Sequence, residues 1–228
     1  MSVRRSVVRG GTLAGVFVAL LAVLAGSAAR ATQSGRNLEA PPTWQARYDD
    51  AAAGKRVHVV MRPGWHINPG PAGIFWDSSR FAEGNFSISS TIFLFPAGTG
   101  DPPAQVDAPY GVLFGGVDLD GAMPAYVTFL LRNDGTFRVA RHGGGTTAAL
   151  IGWSVHDAIV TWEEGDAGTA KNTLVVDATD EAVTFWVNDQ QVAALPRVDV
   201  PVDGVVGLRA GAGVSLHITD LVIGPNRR

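Results

Sequence analysis

From Val57 to the C-terminus the chain alternates apolar and polar residues in short runs. In "NFSISSTIFLF" (residues 85–95), Phe86, Ile88, Ile92 and Leu94 share one side, while Ser87, Ser89 and Thr91 take the other. Successive side chains of a strand point to opposite faces, so this period of two marks a half-buried strand. "AYVTFLLR" (125–132) sets Val127, Phe129 and Leu131 against Tyr126, Thr128 and Arg132. "TFRVAR" (136–141), "NTLVVDA" (172–178), "AVTFWVN" (182–188) and "VSLHITDLVI" (214–223) continue the pattern. Asn133–Asp134–Gly135 and Asn188–Asp189 fall between such runs, where hairpin turns need residues that tolerate positive φ. "WQARYDDAAAGKR" (44–56) has room only for a short helical turn, and no apolar stripe of three helical turns follows it. Many short alternating strands with Gly, Pro, Asn and Asp turns predict an all-β sandwich or barrel.

"GWHINPGPAGIFWD" (64–77) reads as two strands flanking a Pro/Gly turn. Trp65 and Ile67 share one face, His66 and Asn68 the other. An unpaired buried charge is costly, so Asp77 is expected outward. That places Phe75 outward as well, and Ile74 and Trp76 inward, with both tryptophans in the core.

The first 31 residues differ from the rest. Arg4, Arg5 and Arg9 precede the uncharged run "TLAGVFVALLAVLAG" (12–26), and Ala29 and Ala31 stand two apart after it. That arrangement predicts a secretory signal peptide cleaved after Ala31, leaving no stable membrane span after processing. "VRRSVVR" (3–9) resembles a twin-arginine export signal, with ordinary Sec export as the alternative. Residues 32–43 are polar and contain Pro, a linker composition, and 44–228 is expected to be a single β-sandwich domain.

Removing residues 1–31 lowers the basic count from 18 to 14 against 21 acids, a net charge of −7. This argues against nucleic acid and anionic membrane as partners, since both call for a basic surface. The absence of cysteine excludes disulfides and thiolate metal sites, so an exported chain must be held by its core alone.

The runs "PYGVLFGGVDLDG…YVTFLLRNDGTFRVARHGGG", "NTLVVDATDEAVTFWVNDQQVAAL" and "GVVGLRAGAGVSLHITDLVI" resemble the concanavalin A-like lectin/glucanase superfamily. In particular they are similar to its bacterial secreted branch of laminin-G-like and 3-keto-disaccharide-hydrolase-type domains. The resemblance covers most of residues 57–223. It implies a jelly-roll of two antiparallel sheets whose members bind glycans, cleave them, or hold proteins together.

Glycoside hydrolysis uses a pair of carboxylates. The glutamates are Glu39, Glu83, Glu163, Glu164 and Glu181, and none lies in the E-x-D-x-x-E strand motif of laminarinase-type relatives. Asp118 and Asp120 in "GGVDLDG" are two oxygen donors that suit calcium, though Asp-Gly is also ordinary turn chemistry. Neither a G-x-S-x-G elbow nor a zinc spacing of histidines occurs. Outward residues supply rings and polar forks for sugar: His66, Asn68, Phe75, Asp77, Tyr126, Arg132, Arg138 and Trp186. The expected function is an exported, periplasmic or extracellular lectin-like sandwich that binds carbohydrate through one sheet face without strong catalysis. The alternatives are a glycosidase using His66, Asp77, Asp118 or Asp120 as acid or base, and an envelope scaffold that binds protein.

Overall fold

A computed structural model describes residues 39–164, 166 and 168–227. The expected signal peptide lies outside the described residues. The strands are β1 (Trp44–Tyr48), β2 (His58–Val60), β3 (Trp65–Ile67), β4 (Gly73–Ala82), β5 (Phe86–Leu94), β6 (Tyr110–Val117), β7 (Ala125–Leu131) and β8 (Thr136–Gly143). They continue with β9 (Thr146–Val155), β10 (Ala170–Ala178), β11 (Ala182–Val187), β12 (Gln190–Pro196), β13 (Gly204–Ala210), β14 (Leu216–Ile218) and β15 (Val222–Gly224). Single 3-10 turns at Ala51–Ala53 and Arg197–Asp199 are the helical elements among the described residues.

Two antiparallel sheets result. One has seven strands in the order β1-β4-β13-β6-β7-β8-β9. The other has eight, in the order β12-β11-β10-β5-β14-β3-β2, with β15 also on β5. The alternation is obeyed where it was plainest: Ile88, Ile92, Leu94, Val127, Phe129, Leu131, Phe185 and Val187 are buried in the main core cluster between the sheets. Asn188 and Asp189, with φ of 48° and 65°, make the β11–β12 turn. Gly144 and Gly145, both at positive φ, make the β8–β9 tip.

The short helical turn expected within residues 44–56 is found at Ala51–Ala53, after an edge strand at Trp44–Tyr48. Two expectations are corrected. "WHIN" and "IFWD" are not a hairpin: β3 belongs to the eight-stranded sheet and β4 to the seven-stranded one, so "PGPAG" crosses the sandwich. Phe75 is not outward; it is 0% exposed in the main core, and Ile74 and Trp76 occupy the opposite side of β4.

The physical reason is that the Asp77 carboxylate did not need solvent. It accepts from the Thr43 hydroxyl at 2.5 Å, the Ser79 amide at 2.9 Å and the Ser79 hydroxyl at 2.7 Å. Those bonds outweigh the burial that would push its pKa up, and hold it below the usual carboxylate range. The sheet is also apolar on both sides here. Ile74, Trp76, Leu113 and Leu119 form a second small core on its outer face.

One cation pins the crossover. Arg56, 5% exposed, donates to the carbonyls of Asn68 and Val214. It also donates to those of Pro71 at 3.2 Å and Gly211 at 2.8 Å. A Cβ on Gly70 would come within 2.9 Å of the Arg56 Cγ, so glycine lets the stem pass. Asn172, fully buried, donates to the Tyr110 hydroxyl at 3.2 Å and the Val160 carbonyl at 2.8 Å. Its own oxygen accepts from the Val160 amide at 2.9 Å and the Asn188 side chain at 2.9 Å.

Candidate functional site

Directly opposed residues of an antiparallel pair share a face. The outer face of the seven-stranded sheet can therefore be read across its ladders. Gln45 and Arg47 oppose Trp76 and Ile74. Gly207 and Arg209 oppose the same two residues from β13. Gly207 also opposes Leu113, which opposes Thr128 on β7. Tyr126 opposes His142, Thr128 opposes Ala140, and Leu130 opposes Arg138.

A groove of about 860 Å³ opens on this face. Gln45, Arg47, Ile74, Trp76 and Tyr126 line its floor, with the 49–55 segment on one side and Asp120, Gly121 and Pro124 on the other. A second hollow of about 340 Å³ shares Asp49, Pro124 and Tyr126 with it and continues to His142, Thr147 and Arg209. The two form one surface running from the edge strand β1 to the glycine tip of β8–β9.

Its polar parts are fixed. The Arg47 Nη1 donates to the carbonyls of Leu119 at 3.2 Å and Gly121 at 2.6 Å, which tethers the wall. Arg209 makes a two-pronged ion pair with Asp49, one prong at 2.6 Å. That fork holds the Asp49 carboxyl below the usual range, against the burial that would raise it.

Tyr126 stacks on His142 with ring centroids 4.5 Å apart and planes 16° apart. The imidazole is held at both nitrogens, by Thr128 and Thr147 hydroxyls at 3.0 Å each. Burial first, and the charges of Arg209 and Arg138 after it, push its pKa down to about 4, so the ring is neutral near pH 7. The Tyr126 hydroxyl bonds to no described residue. The site therefore presents an aromatic plate, a free hydroxyl and a carboxylate–guanidinium pair side by side.

The expected site residues are divided between faces. Tyr126 and Asp120 line the groove. Arg132 and Arg138 belong to the same sheet face but sit at the other end of β7 and β8, around Trp153. His66 and Trp186 are on the eight-stranded sheet. His66 opposes His217 and lies edge-on to Phe95 at 5.1 Å, and Trp186 sits under Arg227 at 4.9 Å. The Asn68 carbonyl is taken by Arg56, Phe75 is core, and Asp77 is bound as described above.

Asp118, at φ 54°, turns its carboxylate onto the Met123 amide at 2.8 Å and shapes the loop that carries Asp120. Among the described residues no group of three His, Cys, Asp or Glu side chains is placed to hold a metal ion. Likewise, none of the described helices is long and apolar enough to cross a membrane.

Sequence reasoning missed Asp49, Arg209, His142 and Trp76. His142 was within reach: counting back from the turn at 133–135 pairs it with Tyr126. Asp49 and Arg209 are 160 residues apart, and only the assembled sheet brings them together.

No protein-family model matches the chain, and no curated protein sequence matches it. Solved structures do. A carbohydrate-binding module, CBM66, from Bacillus subtilis superposes with a TM-score of 0.56 at 12% identity, covering 82% of this chain and 97% of the module. A GH16 protein of a Bacteroides ovatus mixed-linkage glucan locus, solved with a G4G4G3G product, gives 0.51 at 11% identity, over 82% of this chain and 97% of that one. The exoplasmic/lumenal domain of VIP36, solved with Ca2+ and Man3GlcNAc, gives 0.51 at 12% identity, over 84% and 88%. The fold is thus a concanavalin A-like jelly-roll sandwich.

Proposed function

We propose that this chain is an exported, lectin-like sandwich that binds carbohydrate through the outer face of its seven-stranded sheet, without strong catalysis. The observation that carries the reading is the Tyr126–His142 plate, with its free hydroxyl, beside the Asp49–Arg209 fork on the wall of one continuous groove. An aromatic plate suits the C–H face of a sugar ring, and the hydroxyl and fork suit its hydroxyls. Two neighbours of this fold, the Bacillus subtilis carbohydrate-binding module and VIP36 solved with Man3GlcNAc, support the same ligand class here.

The groove chemistry favours binding over cleavage. A general acid in a glycosidase needs a raised pKa, whereas Asp49 is lowered and both its oxygens are occupied by Arg209. Asp120 lines the groove without a second free carboxylate from the expected set, since His66 and Asp77 lie elsewhere and Asp118 is bound to its own loop. Export to the periplasm or exterior rests on the leader-like residues 1–31.

Affinity electrophoresis of the purified protein against a panel of polysaccharides tests the reading. Retardation by at least one polymer is expected, weakened about tenfold in Tyr126→Ala, the loss of one stacked ring and one hydrogen bond. Folded protein that binds no polysaccharide, or a Tyr126→Ala variant that binds equally well, overturns it. Capture of a protein partner in its place would favour the scaffold reading.

A further inference from the structure

The seven-stranded sheet is basic inside an acidic chain. Its strands contain Arg47, Arg80, Arg138, Arg141 and Arg209, and its single acid is Asp77, which is bound to Thr43 and Ser79. Strands β6, β7, β8 and β9 contain no Asp or Glu at all. Most of these cations are occupied: Arg47 by carbonyls, Arg209 by Asp49, and Arg80 by the Leu221 carbonyl at 2.6 Å.

Arg132 and Arg138 differ. The Arg132 guanidinium lies over the Trp153 ring at 3.8 Å, and that of Arg138 is 5.9 Å from the same ring. Neither side chain makes a hydrogen bond or ion pair with a described residue, and both Nε atoms are buried without an acceptor. Asp134, the acid nearest in sequence, is turned onto the Thr136 amide at 3.1 Å and hydroxyl at 2.5 Å. Two half-buried guanidiniums on an aromatic plate, with forks uncommitted, are a recognition element for an oxyanion.

We propose that Arg132, Arg138 and Trp153 form a second subsite of the glycan face that selects acidic polysaccharide, binding a carboxylate or sulfate ester. This rests on the reading of the groove as a carbohydrate site and names the class of glycan that fits it. At about 3.3 Å per residue, Arg138 lies roughly 13 Å along β8 from His142, and Arg132, the residue that follows β7, roughly 20 Å from Tyr126. The low residues Thr128, Leu130 and Ala140 lie between, without an acid. The ligand is therefore an oligomer, one unit resting on Tyr126 and a charged unit several residues along at the arginines. The overall negative charge does not forbid this, because screening in physiological salt confines each charge to about 8 Å.

The test is affinity electrophoresis and titration of the full chain with polygalacturonate, its methyl ester, dextran sulfate and neutral dextran and mannan. The wild type is expected to bind polygalacturonate or dextran sulfate, and whichever binds identifies carboxylate or sulfate as the anion. Full methyl esterification is expected to abolish the first. Arg132→Gln and Arg138→Gln are each expected to weaken anionic binding about tenfold and to flatten its salt dependence. Arg132→Lys with Arg138→Lys keeps the charge without the fork; being closer to the native packing, it provides a second variant if the Gln forms unfold, and should bind several-fold more weakly than wild type. Unchanged anionic binding in the Gln or Lys variants overturns the subsite. Binding of dextran or mannan with no binding of either polyanion also overturns it, and leaves the carbohydrate reading standing. Failure of every polymer overturns both.

Discussion

Replacing Arg56 by Met should be among the most damaging single changes in the molecule, although Arg56 touches no ligand surface. The guanidinium donates to four carbonyls, those of Asn68, Pro71, Gly211 and Val214. Hydrogen bonds from a charged donor contribute about 1.5–3 kcal/mol each, so the four together represent roughly 6–12 kcal/mol. Burial of the cation offsets several kcal/mol of this, the same burial that pushes its pKa down to about 10. Methionine fills much of the stem but leaves the four carbonyls without their donor in a buried place. The net loss is about 3–5 kcal/mol, in line with removal of one partner from a buried charged network. For a domain of this size that corresponds to a fall in Tm of roughly 10 °C. Urea unfolding of wild type, Arg56→Met and Arg56→Lys measures it, with the lysine form intermediate because it keeps the charge but cannot fork. A methionine variant within about 1 kcal/mol of wild type would mean that water or backbone relaxation replaces the guanidinium, and the pinning argument fails.

Other outcomes follow from the same geometry. Phe75→Ala should cost about 3–5 kcal/mol and Phe93→Ala under about 1.5, since the first is core and the second half-buried on the side of β5 opposite Ile92 and Leu94; equal losses would contradict the assignment of faces. Asn172→Ala should cost about 2–3 kcal/mol, because the Val160 amide and carbonyl lose their partner in the interior, and urea midpoints within error of wild type would refute this. His58, His66 and His142 are each pushed down to about 4, chiefly by burial, so the folded chain holds them neutral while the unfolded chain protonates them near 6.5. The unfolded state then binds more protons, so their stabilisation is complete above about pH 6.5 and is lost as pH falls toward 4. His58 alone accounts for about 1–2 kcal/mol of that loss after screening. A urea midpoint flat from pH 7 to 4.5 would refute it.

The local half of this structure was legible in the sequence. Alternation assigned the inward residues of β5, β7, β11 and β14 correctly, because each strand's own pleat decides that question. Turn chemistry located the β7–β8 and β11–β12 hairpins. The errors arose where the answer depended on distant partners. Phe75 and Trp76 were exchanged because Asp77 was assumed to need water, and its partners Thr43 and Ser79 could not be seen from the charge alone. "PGPAG" has the composition of a hairpin turn, and nothing local distinguishes a turn back from a passage to the other sheet. Of the candidate site, Tyr126 was found because it alternates out of a clear strand. The Asp49–Arg209 fork was not, because sheet register between β13 and its neighbours cannot be read from either segment.

The seat of β13 between β4 and β6 has a consequence for how the molecule comes into being. Both neighbours are complete more than 80 residues before Gly204 is reached, and until then each presents an open, hydrogen-bond-hungry side. Nascent or truncated polypeptide ending short of that point holds two halves of a sheet with no keystone, so closure waits for the last portion of the chain and late synthesis errors should aggregate instead of merely fraying.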